Sequence, residues 1–395
     1  MPLTNTSARF GSLTRALHWL TALLIVTAIP LGAIANRLPY DTAQALAQKA
    51  QLFSIHKTVG IAAFLVAALR IGWALTQTRP AGLHPERRLE TALAEAVHWM
   101  LYISLLAVPL TGWVHHAAVS GFAPILWPLG QDLPLVPKSE AVANMAAALH
   151  WVFTKLLVAS VILHIAGAFK HHLVDRDATL LRMWRGTQAA PRTAAGRHVL
   201  PAIIALSVYV AGAALAFTIA GPAETASAGT VAPAAGNWQV TEGTLVFSIA
   251  QMGTDVAGSF AAWSADIRFD EAAGTGSVSV SIDTTSLTLG SVTTQAKTTE
   301  FFNTLDFPTA TFQAAITPDP ATAGTFLADG SLTLRGISLP LQLPFTLQIA
   351  DGKATMTGST TIDRRDYKIA ESYPDTASVG HVVGIRVDLA AQRVP

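Results

Sequence analysis

This chain has no cysteine, which excludes disulfides, thiolate metal centres and the Cys-x-x-Cys-His attachment of covalently held haem. Charge is scarce as well. Asp, Glu, Lys and Arg make up 13% of the 395 residues against 51% hydrophobic ones, a balance that excludes a water-soluble protein over the whole length. The net charge is +1 and the arginines flank apolar runs instead of forming one patch, so no nucleic acid partner is expected.

What is present falls into two halves. Residues 1 to about 220 carry long Leu, Ala, Val and Ile runs and most of the histidines, whereas the remainder is rich in Thr, Ser, Gly and Asp with alternating apolar positions. Windows able to cross the roughly 30 Å hydrocarbon core lie near residues 14–36, 55–76, 92–114, 147–170 and 199–220. Arg9 and Arg15 precede the first span. Arg79, Arg87 and Arg88 separate the second from the third, and Lys170, Arg176, Arg182, Arg185, Arg192 and Arg197 separate the fourth from the fifth. The remaining loops carry fewer basic residues, Arg37 and Lys49 in one and Lys138 in the other. The positive-inside rule then makes the N-terminus of this multi-pass protein cytoplasmic and puts the C-terminal domain outside, in the periplasm if the cell is Gram-negative. The first run contains His18 and lacks a small-residue cleavage site, so it reads as a retained signal-anchor.

His150 and His164 lie fourteen residues apart on the fourth span. A helix rises 1.5 Å per residue, which separates them by about 21 Å on one face, one near each leaflet. An ionisable side chain inside a bilayer is costly and imidazole is a common iron ligand, so the pattern points to one helix serving two haems. His18 in RALHWL shares the inner depth of His164, and His56 in SIHKTVG shares the outer depth of His150. The expected inner iron is held by His18 and His164, the outer iron by His56 and His150. Without cysteine both groups are non-covalent haem b. An iron with two axial imidazoles has no open position, which favours one-electron transfer over oxygen activation.

RALHW, SIHKTVG, the His-x13-His span and the tail KHHLVDRDATLLRMWRG together resemble the bacterial cytochrome b561 family of di-haem four-helix membrane proteins, over residues 1 to about 190. The resemblance implies the same four axial ligands and electron exchange with the membrane quinone pool, ubiquinone or another isoprenoid quinone. It also implies a periplasmic one-electron donor, which in some members is superoxide. A fifth span and a large C-terminal extension depart from that pattern. Lys57, beside His56, is the candidate for drawing anionic superoxide to the outer mouth, ahead of Arg37, Lys49, Lys138 and Lys155; its alternative role is an interfacial anchor. His171, seven residues after His164, returns to the same face and is the candidate proton donor to a reduced quinone. Its alternative is a basic juxtamembrane anchor, and the resemblance places a quinone contact in its KHH segment, with Trp184 and Arg70 as further candidates. His98 has no depth partner and suits a structural or propionate contact, while His115 and His116 end the third span on the outer side. The apolar, proline-rich loop GFAPILWPLGQDLPLVP suits a lid over the outer haem.

The fifth span carries no haem-type histidine and reads as a tether, followed by a flexible linker with a reach of roughly 20–24 Å. From Asn237 the apolar period becomes two, in TLVFSI, SVSVSI, ATFQAAI, SLTLRG, LPLQLPFTLQI, ATMTGSTTI and GIRVDLA. About eight antiparallel strands suggest a closed barrel, either enclosing one small ligand or filled as an ordinary core. NWQVTEGTLVFSI, FFNTLDFPTATFQA, DGSLTLRGISLPLQLPF and TIDRRDYKIAES resemble the YceI-like family, which implies a lipocalin-like barrel that binds isoprenoid lipid. Phe247, Phe260, Phe301, Phe302, Phe312 and Phe345 are the candidate pore residues, as aromatics at alternating strand positions.

The expected architecture is thus multidomain. An all-α transmembrane di-haem four-helix bundle (1–195) is followed by a fifth transmembrane helix (196–220), a linker (221–236) and an all-β antiparallel barrel (237–395). Three functions are open from sequence: a superoxide:quinone type oxidoreductase, an isoprenoid-quinone carrier anchored by a redox-sensing cytochrome, and the cytochrome subunit of a larger dehydrogenase.

Overall fold

The computed structural model describes residues 2–84, 86–119, 123–126, 129–188, 199–220, 236–290, 292–320, 322 and 324–394. Residues 221–235 of the expected linker, together with Arg192 and Arg197, lie outside the described residues. The chain divides into two compact units, Met1–Arg37, Gln51–Ala118 and Pro124–Ala223 against Leu38–Ala50, Val119–Ala123 and Glu224–Pro395.

The first half is helical: α1 (Ser12–Arg37), α2 (Ala43–Thr76), α3 (Arg88–Ala118), α4 (Glu140–Leu173), the short α5 (Thr179–Trp184) and α6 (Leu200–Ala220). All but α5 are long and apolar enough to cross a bilayer. Both α2 and α4 begin well ahead of their apolar windows, because Ala-rich stretches such as AQALAQKA and AVANMAAAL keep helical propensity high outside them. The start of α4 is fixed by Ser139, whose side chain accepts from the Val142 amide. Leu23, Leu69, Ile162, Val210 and Phe217 are each more than half exposed, a cost in water that disappears when the surroundings are lipid.

Close helix packing joins α3 to α4 and α6 to both. Ala205, Gly212 and Ala216 let α6 approach closely, and a Cβ on Gly212 would stand 3.2 Å from Leu156 and 3.3 Å from Val152. Buried Tyr209 bonds the Ser104 hydroxyl and donates to the Met100 carbonyl, so the fifth span is built into the bundle as well as carrying the chain onward.

The second half is a closed antiparallel barrel. Its strands are β1 (Trp238–Gln251), β2 (Thr254–Phe260), β3 (Trp263–Asp270), β4 (Thr275–Asp283), the two-residue β5 (Leu287–Thr288), then after helix α7 (Thr293–Ala296) β6 (Thr309–Pro318), β7 (Thr325–Leu334), β8 (Ile337–Ala350), β9 (Lys353–Asp363) and β10 (Val379–Arg393). The ring runs β1-β3-β4-β6-β7-β8-β9-β10, and β10 pairs back onto β1 along Trp238↔Arg393 to Gln251↔Val379. Closure leaves no open edge on the ring. The turns Met252-Gly253, Arg335-Gly336 and Asp351-Gly352 have positive φ at both residues, the conformation that matches strand twist in a two-residue hairpin.

Strands β2 and β3 are absent from the sequence reading, although Trp263, Ala265, Ile267 and Phe269 alternate inward as plainly as the strands that were recognised. The alternating-strand reading of the phenylalanines also needs correction. Phe247, Phe312 and Phe345 lie inside strands and Phe260 ends β2, but Phe301 and Phe302 stand in the turn segment between α7 and β6. That segment folds inward because its amides bond locally, Phe301 N to Thr298 O and Phe302 N to Ala296 O, so the rings enter the cavity without a strand.

Candidate functional site

Three helices, α1, α2 and α4, bring four imidazoles together in two pairs. The rings of His56 (α2) and His150 (α4) lie 6.4 Å apart between centroids, and those of His18 (α1) and His164 (α4) lie 6.1 Å apart. A metal bound by two facing imidazoles at about 2.0–2.1 Å per bond, with about 1.2 Å from each nitrogen to its ring centre, requires about 6.4–6.6 Å. The outer pair meets that spacing, and the inner pair needs to open by about 0.3–0.5 Å, a shift within reach of side-chain rotation.

The outer pair is held by one device used twice. His56 Nδ1 bonds the Ala28 carbonyl at 2.9 Å, and His150 Nδ1 bonds the Val108 carbonyl at 2.8 Å. Donating from Nδ1 leaves the Nε2 lone pair for a metal, the tautomer an axial ligand needs. Four residues after each acceptor stands a glycine. A Cβ on Gly32 would come within 2.7 Å of the His56 ring, and one on Gly112 within 2.9 Å of the His150 ring. Each imidazole therefore abuts a bare stretch of backbone, in AIPLG of α1 and VPLTG of α3. The prolines inside these helices, Pro30 and Pro109, loosen the same turns.

Around the inner pair, Arg70 Nη2 is 3.2 Å from His18 Nδ1. A guanidinium only donates, so this contact needs a lone pair at Nδ1, whereas iron at Nε2 leaves the proton there. Arg70 also sits over the Tyr102 ring at 5.7 Å, a second partner for its guanidinium. His98 packs edge-on against His164 at 5.0 Å and bonds its own helix at the Ala94 carbonyl, which makes it a wall of the inner site.

Lys57 is buried, 7% exposed, inside the bundle. His115 bonds the Ala143 carbonyl and lies 4.5 Å from His116. From the proline-rich loop, Leu126 N bonds Thr58 Oγ1 two residues beyond His56, and Gly130 and Gln131 accept from Trp113. At the other end, His171 Nδ1 points at Asp177 Oδ2 (2.7 Å) and stacks on His84 at 6.2 Å. Asp175 beside it pairs with Lys170 (2.8 Å) and Arg87 (3.0 Å), whose hydrogen bonds hold its carboxyl at about 2. Trp184 packs on Trp19, and Arg15 donates to the Trp184 carbonyl, which ties α5 to the start of α1.

The family model for prokaryotic cytochrome b561 matches residues 9–186, and Escherichia coli (strain K12) cytochrome b561 homolog 2 is 32% identical over 189 residues, 46% of this chain and 95% of the relative. The chain belongs to the cytochrome b561 family. Its first domain is accordingly a membrane electron-transfer module with haem b as cofactor, and the bis-histidine geometry fits that group. A Yersinia pestis relative named "Probable superoxide oxidase CybB" is 26% identical over 44% of this chain and 95% of its own. The model of the YceI-like domain matches residues 237–391. The solved structure of Burkholderia cenocepacia BcnA is 28% identical, with TM-score 0.36, over 38% of this chain and 96% of its own.

In this YceI-like domain the barrel encloses an apolar cavity of about 240 Å³. All six phenylalanines named from sequence line it, and Phe247, Phe260 and Phe302 form one aromatic cluster with centroids 5.5–5.9 Å apart. Gln251, Gln295, Thr360 and Arg364 add its few polar groups. Arg364 escaped the sequence reading. Its buried guanidinium donates to the carbonyls of Gly380, Ile369, Ala370, Tyr373 and Val379, so it fastens the loop 369–379 to the barrel. Gly32 and Gly112 were missed too; a glycine followed back four residues to a proline-bearing helical turn is the only signal they leave.

Proposed function

We propose that this protein oxidises superoxide at the periplasmic face of the bacterial inner membrane and passes the electrons to an isoprenoid quinone, ubiquinone by preference. The observation that carries the reading is the two imidazole pairs at metal-bridging separation, set fourteen residues apart along α4. When bound there, two haems b supply one-electron transfer between the two faces. The balance is simple: two superoxide ions become two dioxygen molecules, and one quinone takes the two electrons and two protons to become quinol.

The chain's own residues supply the rest. His56 and His150 would hold the outer haem, His18 and His164 the inner one. Lys57 adds positive charge beside His56, where a buried cation acts more strongly on an approaching anion than one in water. At the inner end His171, hydrogen bonded to Asp177, is placed to hold and pass a proton to reduced quinone. Arg15, Arg87, Lys170 and Arg182 meet partners at that end, which supports a cytoplasmic N-terminus. The apolar barrel cavity supports binding of an isoprenoid chain, held on the periplasmic side as reservoir or redox partner. Stopped-flow haem reduction by superoxide, with and without quinone, tests the reading. Quinone reduction no faster with superoxide than without it refutes the substrate assignment.

The cavity also favours a second reading, an isoprenoid-quinone carrier anchored by a cytochrome. Lipid bound to the full chain with no superoxide-dependent haem reduction would select it.

A further inference from the structure

We propose that His84, His171 and Asp177 form a binding site for a divalent transition-metal cation, zinc in the first instance, at the end of the bundle opposite the His56–His150 pair. The three residues come from separate segments, the α2–α3 connection, the end of α4 and the α4–α5 connection. Their ligating atoms converge: His84 Nε2 is 3.1 Å and His171 Nδ1 2.7 Å from Asp177 Oδ2, and all three atoms lie within 4.8 Å of one another. A tetrahedral cation with ligands at about 2.0–2.2 Å sets its donors about 3.4 Å apart, so modest side-chain rotation opens the cluster to that spacing. Two imidazoles and one carboxylate make a borderline N2O set, which suits zinc over calcium or magnesium.

The surroundings of His84 point the same way. Its Nδ1 faces Glu86 Oε1 at 3.2 Å while its Nε2 faces Asp177. A ring between two carboxylates calls for positive charge between them, which a protonated imidazole or a cation at Nε2 provides. A carboxylate on the far nitrogen is also the usual partner of a metal-bound histidine, because it fixes the tautomer. Asp177 is itself set in place, its Oδ1 accepting from the Thr179 amide at 2.7 Å. The neighbouring group of Glu90, His171 and Asp175 also has converging atoms. There, however, Lys170 contacts Glu90 at 2.5 Å and Asp175 at 2.8 Å and Arg87 contacts both, so its negative charge is already balanced.

Occupation has a consequence that rests on the proposed quinone role of His171. A cation on His171 Nδ1 displaces the hydrogen bond to Asp177 and stops proton passage along that pair, so zinc slows quinone reduction. The test uses the full-length, haem-loaded protein in detergent after chelator treatment, titrated with zinc against a chromogenic chelator. One zinc per chain is expected, with X-ray absorption showing imidazole ligation. His84→Gln and Asp177→Asn should each weaken binding by about 100-fold while the haem spectrum stays intact. No stoichiometric zinc, or equal affinity in wild type and His84→Gln, overturns the site. Haem reoxidation by quinone is then followed with and without zinc. Zinc that binds without slowing it overturns the inhibition alone, and failure of quinone to reoxidise haem in metal-free protein counts against the quinone reading instead.

Discussion

Replacing Gly112 with alanine should cost the protein its outer haem while leaving the inner one. The added Cβ would stand 2.9 Å from both Cε1 and Nδ1 of His150, and carbon contacts settle at about 3.5–4.0 Å, so the ring must retreat by about 0.6–1.1 Å. Its Nδ1 is anchored on the Val108 carbonyl at 2.8 Å, and a retreat of that size stretches the bond past the useful range. Metal–ligand distances tolerate about 0.2 Å, so the iron bond and the anchor fail together, and haem affinity should fall by about 10–100-fold. Helix propensity works the other way, favouring alanine by about 0.8–1.0 kcal/mol, so lost haem cannot be blamed on a weakened helix. Gly32→Ala, at 2.7 Å from the His56 ring, should behave alike. Gly167→Ala on α4, where a Cβ meets nothing within 4 Å, is the control. Haem-to-protein ratio by pyridine haemochrome, with a redox titration to count components, reads the result. Two haems per chain with wild-type spectra in Gly112→Ala would refute the reasoning.

Other outcomes follow from the same geometry. His150→Ala should leave one haem per chain, and His164→Ala should remove the other, which redox titration distinguishes by potential. Asp175 is held at about 2, below its ordinary 3.8, by Lys170 and then Arg87; its stabilising effect is therefore full above about pH 4 and lost as pH falls through about 2. The melting-temperature gap between wild type and Asp175→Asn should close over that acid window and stay constant from pH 5 to 8. Arg364→Met strips five carbonyls of their donor and should destabilise the barrel by about 3 kcal/mol or more, read by chemical unfolding of the full chain. Ala328→Trp, at a buried position lining the cavity, should abolish labelling of barrel peptides by a photoreactive isoprenoid; undiminished labelling would place the lipid elsewhere.

Much of this was legible in the chain itself. The five spans stand out because a bilayer demands some twenty apolar residues in a row, and the histidine depths follow from a fixed rise per residue. The barrel strands are legible wherever alternation is bounded by glycine turns. β2 is short and interrupted by Gly258, whereas β3, WSADIRFD, alternates apolar and polar residues throughout and was legible but passed over. Phe301 and Phe302 line the cavity from a turn and not from a strand, since a period of two says nothing about a segment folded inward by its own amides.

Sequence alone marked which segments are long and apolar enough to cross a bilayer, which histidines share a depth and where strand-like alternation begins, because these depend on composition and on spacing along one chain. The tertiary structure decided which atoms meet. That Gly32 and Gly112 bare the backbone for an imidazole and that His84 joins His171 on Asp177 are relations between segments remote in sequence, and Arg364 gathers five carbonyls of one loop that no local pattern ties to it. No period or local propensity encodes them; they arise only when packing brings the segments into contact.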